Sequence, residues 1–208
     1  FGNYYLPKSL VSSSTNCLAY GVAKEIGFEK ALKKTNPYLN IVSVDGTPAT
    51  VKWFSGLKNP PSRLHPSVYS DKNDSNLNFY KDPVNGGCHS LINKWGDNAI
   101  VDVVEGKNLF SLMEELNWRD LDILKADIEG LAPNLINELC RQNIRPKACL
   151  FEFEHYVEGS KGYDKRVDQM NQSLKHMKDF GYTSYLNRPK DKFLTEVVCI
   201  RNFVSVTP

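Results

Sequence analysis

This sequence of 208 residues lacks an excess of charge of either sign. Its 26 lysine and arginine residues nearly balance its 24 aspartate and glutamate residues, and the net charge is only +2. Proteins that bind nucleic acid through its phosphates concentrate positive charge on one face, so we expect no nucleic-acid partner. The sequence also lacks an apolar run approaching the roughly 18 residues that span a bilayer, so we expect no membrane partner.

Cysteine is scarce and its number, five, is odd. Four of the cysteines fall in predicted strands or helices: Cys17, Cys140, Cys149 and Cys199. A free thiol in such a position behaves as a small apolar group, and only Cys88 falls in a predicted loop. We therefore expect reduced thiols and a cytoplasmic protein. No signal peptide is visible, and because the first residue is Phe1 the sequence leaves open whether a segment precedes it.

Strand and helix patterns alternate along the chain. Strands are predicted at 16–20, 40–44, 64–69, 100–104, 123–128, 148–153, 184–186 and 195–200, and helices at 25–34, 49–54, 108–116, 133–142 and 166–180. This alternation predicts one α/β domain over residues 1–208, with a mostly parallel sheet covered by helices on both faces. The last two strands are close in sequence, so we expect them to pair antiparallel.

Residues 70–96 are rich in asparagine, aspartate, glycine and proline and are predicted to form a long loop. Loops of this length in compact domains are usually functional. Gly86 and Gly87 could serve as a hinge in it, which would bring His89 and Ser90 over the strand ends.

Polar residues follow several of the predicted strands. Gly21 follows the first, Asp45 follows the second, and Asp127 and Glu129 stand where the strand 123–128 ends. Ligands of open α/β sheets bind at the carboxyl ends of the strands. A glycine after one strand and an acid after the next fit an adenosine cofactor whose ribose the acid holds. Simpler interpretations stay open: Asp45 could only begin a turn, and Asp127 and Glu129 could only interact with a helix dipole.

The charge of the site decides between adenosine cofactors. A dinucleotide favours the pattern G-x-G-x-x-G, but Gly21 is followed by neither of the other two glycines, and Glu25 would repel a phosphate. S-adenosylmethionine carries a cationic sulfonium and an ammonium instead. The carboxylates of Glu25, Asp127 and Glu129 suit those cations.

Four segments resemble the motifs of the FkbM-type S-adenosylmethionine-dependent methyltransferases. They are Cys17–Glu29, Val44–Pro48, Leu124–Gly130 and Cys149–His155, and they occur in the family's order. The opening Phe1–Tyr5 is similar to the family's glycine-aromatic lead-in, so the resemblance spans about residues 1–200.

The resemblance implies a Rossmann-like class I methyltransferase fold, with seven strands of which the last is antiparallel. It places Gly21 and Glu25 near the methionine part of the cofactor, Asp45 on the ribose, and Ser70 and Asp71 near the adenine. It also implies O-methylation of a sugar or a small hydroxylated metabolite. The oligomeric state is not predicted.

A hydroxyl acceptor needs a general base, and we expect His155 or His89 in that role, with Asp127 as the second choice. No metal is predicted, although Asp127, Glu129, Glu154 and His155 leave open a site for a hard cation such as Mg²⁺.

Two other functions stay open. One is a cofactor-binding protein that has lost catalysis, indicated by Ala23 in place of the family's second glycine and by Ala132 in place of a polar residue. The other is a nucleotide-sugar or dinucleotide enzyme of related fold, which the missing glycines disfavour.

Overall fold

The computed structural model describes residues 4–83, 89–94, 96–155, 160–186 and 194–202. The strands in these ranges are β1 (Asn16–Tyr20), β2 (Asn40–Val44), β3 (Arg63–His65), β4 (Val68–Tyr69), β5 (Asp74–Lys81), β6 (His89–Ser90), β7 (Ile100–Lys107), β8 (Ile123–Ala126), β9 (Ala148–Glu154), β10 (Tyr182–Leu186) and β11 (Leu194–Arg201). The α-helices are α1 (Lys8–Ser12), α2 (Gly27–Thr35), α3 (Pro48–Ser55), α4 (Leu109–Glu115), α5 (Ala132–Gln142) and α6 (Ser160–Asp179).

Seven strands form the main sheet in the order β10–β11–β9–β8–β1–β2–β3. The pairs from β9 to β3 are parallel, and β11 is antiparallel to both β9 and β10. The prediction of a mostly parallel seven-stranded sheet with an antiparallel last strand is therefore confirmed. The carboxyl ends of β1, β2, β8 and β9 meet at one edge, where ligands of such sheets bind.

The central strands are buried on both faces, as their continuous apolar runs predict. Successive side chains point to opposite faces, so the sheet has two apolar clusters. One face packs against α4, α5 and α6 through residues such as Leu18, Leu124 and Phe151. The other packs against α1 and α2 through residues such as Ile123 and Leu150.

A second, smaller sheet takes two of its strands, β5 and β6, from the segment predicted to be a long loop. Its order is β4–β7–β5–β6, and β5 pairs antiparallel with β7. The prediction of a loop over 70–96 was therefore wrong for β5 and β6; in β5 the two asparagines and one aspartate masked the strand pattern. Leu77 and Phe79 pack with Val68 and Val104 in a separate apolar cluster, which gives this polar strand one buried side.

The described cysteines, Cys17, Cys140, Cys149 and Cys199, are free thiols, whereas Cys88 and the predicted hinge Gly86–Gly87 lie outside the described residues. Of the helices in the described ranges, none has both the length and the apolar character that crossing a bilayer requires.

Candidate functional site

A pocket lies at the carboxyl ends of β1, β2 and β8, and we call it the first pocket. The small sheet contributes Val68, Tyr69, Phe79 and His89 to its lining. The main sheet and its turns contribute Tyr20, Gly21, Ala23, Val44, Asp45, Thr47, Asp127 and Glu129. The first pocket therefore combines the predicted glycine and acids of three strand ends with an apolar wall that the sequence did not reveal.

Gly21 is the point where the turn after β1 touches the turn after β8. Its φ is +67°, and a Cβ built on it would stand 1.7 Å from the backbone oxygen of Asp127. Only glycine adopts this conformation without strain and leaves room for the neighbouring backbone. The glycine predicted for ligand approach is thus also required for contact between two strand ends.

The carboxylate of Asp45 joins the turns after β1 and β2. Its Oδ2 accepts a hydrogen bond from the backbone N–H of Ala23 at 2.8 Å, and its Oδ1 accepts one from the backbone N–H of Thr47 at 2.8 Å. The second bond is the turn expected of an aspartate before a glycine. Ala23 has a φ of +44°, so it keeps a backbone conformation that favours glycine even though the residue is alanine.

Two carboxyl pairs stand side by side where β8 and β9 end. Ala126 pairs with Phe151, and one position further along Glu152 hydrogen-bonds to Asp127. Burial, the charge of Asp127 and this bond raise the pKa of Glu152 to about 9. Burial also raises the pKa of Asp127, although the charge of Lys125 opposes that shift. Glu152 is thus the proton donor of this pair at neutral pH.

The second pair is Glu129 with Glu154. Burial and the hydrogen bond to Glu154 raise the pKa of Glu129 to about 8. Burial alone would also raise the pKa of Glu154, but the bond from Glu129 and the charge of Lys94 outweigh it and lower that pKa. Lys94 Nζ lies 2.8 Å from Glu129 Oε2 and also contacts Glu154 Oε2. One ammonium therefore joins the ends of β8 and β9.

The segment 89–94 crosses over these strand ends. Ser90 Oγ donates to the backbone oxygen of Glu129 at 3.0 Å and accepts from the backbone N–H of Ile92 at 3.0 Å. His89 is paired in β6 opposite Lys81, lies against the Phe79 ring, and has Nε2 3.7 Å from Asp102 Oδ2. Ser90 thus lies at the end of β8 and His89 is held in β6, while the predicted movement of this segment on a glycine hinge stays a prediction.

A second pocket adjoins the first on the α1/α2 face of the main sheet, and we call it the acidic pocket. It shares Gly21, Ala23 and Asp127 with the first pocket. Its remaining lining residues are Tyr4, Val22, Glu25, Phe28, Glu29, Lys125, Glu152 and Glu196. Carboxyl oxygens are therefore the main polar atoms facing it.

Some predicted site residues lie elsewhere. Ser70 and Asp71 do not line the first pocket; Val68 and Tyr69 occupy that wall, because β4 pairs with β7 and the backbone N–H of Ser70 donates to Lys107. Glu25 lines the acidic pocket only, where its Oε1 accepts from the backbone N–H of Gly27.

His155 lines neither pocket. It is buried, and its Nε2 lies 2.9 Å from Thr195 Oγ1. Burial and the charge of Arg166 lower its pKa, so the imidazole is neutral at pH 7. Its role as a base stays a prediction that its burial does not favour.

Sequence reasoning missed Lys94, Lys125 and the tyrosines Tyr20 and Tyr69. Lys125 carried a signal: it interrupts a buried apolar strand, and a lysine there needs a reason. Lys94 carried none, because its partners lie 35 and 60 residues away. In the described part of the chain, no group of three histidine, cysteine, aspartate or glutamate side chains is arranged to hold a metal ion.

Comparison with known proteins gives the fold by structure alone. No family model and no curated protein matches the sequence. Fibrillarin from Methanococcus jannaschii, a pre-rRNA processing protein, matches 95% of this chain and 70% of its own, with 8% identity and a TM-score of 0.53. A Klebsiella pneumoniae protein proposed to be an O-methyltransferase matches 94% of this chain and 79% of its own, with 10% identity and a TM-score of 0.50. The fold is thus the predicted Rossmann-like class I methyltransferase fold.

Proposed function

We propose that this chain is an S-adenosylmethionine-dependent methyltransferase of the FkbM type, acting on a hydroxyl oxygen. The observation that carries the proposal is the Asp45 carboxylate at the end of β2, fixed beside Gly21 and Ala23 in the first pocket. Its position matches that of the acid that holds a ribose in nucleoside-binding sheets. Each Asp45 oxygen accepts one backbone hydrogen bond and keeps a second lone pair for a ligand hydroxyl.

The first pocket suits the adenosine half of the cofactor. Val68, Tyr69 and Phe79 give it an apolar wall for the base. Gly21, Ala23 and Asp127 lead from there into the acidic pocket, so the methionine half would lie over these three residues, with Glu25 at the rim.

Electrostatics favour this cofactor over a dinucleotide. A pyrophosphate binds at a helix N-terminus through backbone N–H groups. Here α2 begins at Gly27, whose N–H already donates to the Glu25 carboxylate. That carboxylate would repel a phosphate but not a sulfonium or an ammonium. The two missing glycines in the sequence and this contact therefore both disfavour a dinucleotide cofactor.

Methyl transfer to a hydroxyl oxygen requires the reacting atoms to be aligned and one group to accept the hydroxyl proton. The bound cofactor supplies an activated methyl group, so the chain has to hold the acceptor oxygen in line with it. Of the predicted bases, His89 lines only the first pocket and Asp127 lines both. We therefore favour Asp127, whose pKa burial raises, as the group that takes the acceptor proton.

Calorimetry tests the proposal. S-adenosylhomocysteine should bind and raise the melting temperature, since a ligand that binds only the folded state stabilises it. NAD and a nucleotide sugar serve as comparison ligands. Tighter binding of either, with no heat from S-adenosylhomocysteine, would replace the methyltransferase by one of the alternative enzymes.

A further inference from the structure

The acidic pocket is built from charged residues at positions where the sheet could carry apolar ones. Ile123, Leu150 and Val198 face α1 and α2 in the apolar cluster of that face. Side chains two residues apart point to the same face of a strand. The positions that come next toward the site are Lys125, Glu152 and Glu196, one on each of three adjacent strands.

These three side chains lie close to other groups of the sheet and are not simply solvent-exposed. Glu152 and Glu196 stand directly opposite each other in the β9–β11 pairing. Lys125 is only 13% exposed, and its Nζ lies 3.4 Å from the backbone oxygen of Gly21 and 3.9 Å from Asp127 Oδ2. Burying charged groups costs free energy unless partners offset it, so a row of them across a sheet face indicates a binding surface.

Glu29 gives an independent indication of a ligand. It comes from α2, is 1% exposed, and lines the acidic pocket. Its Oε1 accepts a long hydrogen bond of 3.5 Å from Ser43 Oγ. Its Oε2 is fully buried and has no hydrogen-bond partner among the residues that the structure describes. Burial raises the pKa of this carboxyl, and a cation bound in the pocket would stabilise its ionised form and supply a donor to Oε2.

We propose that the acidic pocket binds the methyl acceptor, and that this acceptor carries an amino group, as in an amino sugar or an amino alcohol. This inference rests on the proposed function, because only a methyl donor in the first pocket makes its neighbour an acceptor site. An ammonium donates three hydrogen bonds and accepts none. It therefore complements Glu29 and Glu196, whose carboxyl groups line the pocket.

The position of the pocket agrees with this assignment. Asp127 lines both pockets, so an acceptor held by Glu29 and Glu196 has its reacting hydroxyl beside the proton acceptor and the cofactor. The ammonium binds at the carboxyl groups of Glu29 and Glu196. The hydroxyl oxygen, and not the nitrogen, receives the methyl group. In the reaction the acceptor oxygen forms the bond to methyl, the bond from sulfur to methyl breaks, and the hydroxyl proton passes to Asp127.

Matched ligand pairs test the inference. D-glucosamine is compared with D-glucose and with N-acetyl-D-glucosamine, and ethanolamine with ethylene glycol, each titrated by calorimetry into the complex with S-adenosylhomocysteine. The amine should bind at least about tenfold more tightly than its neutral counterpart in at least one set, because a charge-assisted hydrogen bond is lost in the neutral compound. Equal affinity within both sets, or no binding by any of these compounds, would overturn the inference.

Substitutions test whether the preference for the amine arises in the acidic pocket. Glu29→Gln should reduce the preference for the amine to less than about threefold and leave the affinity for S-adenosylhomocysteine within about twofold. Glu138→Gln is the control: Glu138 is a glutamate that is 2% exposed, about as buried as Glu29, and it does not line the acidic pocket. It should keep the wild-type preference, and Glu196→Gln should behave like Glu29→Gln.

The controls also separate the two proposals. If wild-type protein fails to bind S-adenosylhomocysteine, the proposed function itself fails. If it binds, but Glu29→Gln loses about tenfold of that affinity, the acidic pocket holds the amino-acid end of the cofactor and the acceptor inference is wrong.

Discussion

The backbone N–H of Ala23 donates a hydrogen bond of 2.8 Å to Oδ2 of Asp45. This bond holds the turn after β1 against the end of β2, and it does so while Ala23 has a φ of +44°. The left-handed conformation is unfavourable for alanine. The turn therefore keeps the geometry of a glycine turn, and Asp45 is one of the groups that maintain it.

Replacing Ala23 by glycine should stabilise the protein. The substitution relieves about 1–2 kcal/mol of backbone strain and costs roughly 0.5–1 kcal/mol through the greater freedom of the unfolded chain. We expect the free energy of unfolding in urea to rise by up to about 1.5 kcal/mol. The control is Ala31→Gly within α2, which should destabilise the protein by about 1 kcal/mol. A loss in both variants would mean that Ala23 is not strained.

Gly21→Ala should be severely destabilising. The new Cβ would stand 1.7 Å from the backbone oxygen of Asp127, and φ at this position is +67°. Gly96→Ala is the matched control, since Gly96 has a φ of +61° but no other described atom within 4 Å of the point where a Cβ would stand. We expect the Gly21 variant to lose at least about 3 kcal/mol more than the Gly96 variant, or to fail to fold. Similar losses in the two variants would show that the strand ends separate easily.

Asp45→Asn should weaken binding of S-adenosylhomocysteine by about 1–3 kcal/mol, because a charge-assisted hydrogen bond to the ribose is lost. The asparagine oxygen can still accept from Thr47, so the turn after β2 should persist, whereas the amide nitrogen cannot accept from Ala23, and loss of that bond is part of the expected effect. Asp74→Asn provides the control, because Asp74 Oδ1 likewise accepts from the backbone N–H two residues later, at 2.9 Å, while the exposed Asp74 side chain lines neither pocket. Calorimetry should show wild-type affinity for the control, and unchanged affinity in Asp45→Asn would exclude the ribose assignment.

The Glu152 carboxyl should make stability depend on pH. Its folded-state pKa is about 9, raised by burial and by Asp127, whereas in the unfolded chain it titrates near the usual value of about 4.3. Between these two values the folded state holds a proton that the unfolded state has lost. The contribution of Glu152 to the free energy of unfolding therefore falls as pH rises from about 4.3 to about 9.

The glutamine of Glu152→Gln does not titrate, so this variant lacks the pH-dependent contribution of Glu152. Its stability relative to wild type should rise by at least about 1 kcal/mol between about pH 5 and pH 9, measured by urea unfolding across the range. Glu114→Gln, on the exposed side of α4, controls for the loss of one negative charge. Parallel curves for wild type and Glu152→Gln would show that Glu152 is ionised throughout.

Asp127 and His155 should respond differently to substitution. Asp127→Asn removes the proposed proton acceptor, so turnover should fall by about 100-fold or more, with S-adenosylhomocysteine still bound. His155→Ala removes a buried ring that hydrogen-bonds to Thr195, so it should lower stability by about 2 kcal/mol and change turnover of the folded enzyme less than tenfold. The reverse ranking in a methyl-transfer assay would assign the base to His155.

The main sheet could be predicted from the sequence because the patterns that identify its strands are local. Buried runs such as Ala148–Phe153 and the acids that follow the strands identify both the elements and their ligand edge. The small sheet was missed because Asp74–Lys81 depends on pairing with β7, about 25 residues away in the chain, which composition does not encode. The wall made by Val68 and Tyr69 was missed for the same reason.

The residues of the candidate site likewise fall into those that the sequence predicted and those that it did not. Gly21, Asp45, Asp127 and Glu129 were identified from strand ends, and all four line the first pocket. Partners that come from distant segments were not identifiable, since nothing near Lys94 in the sequence indicates that it contacts Glu129 and Glu154.

The position of β11 in the main sheet constrains the order of folding during synthesis. In the described sheet, β10 joins the other strands through β11 alone, and β11 is the later of the two in the chain. Residues 182–186 therefore leave the ribosome before any strand of the main sheet can pair with them. The sheet is completed only when residues 194–201 insert between β9 and β10. A released chain truncated after residue 193 should remain sensitive to protease over residues 182–186, and a released chain extended to residue 202 should protect them.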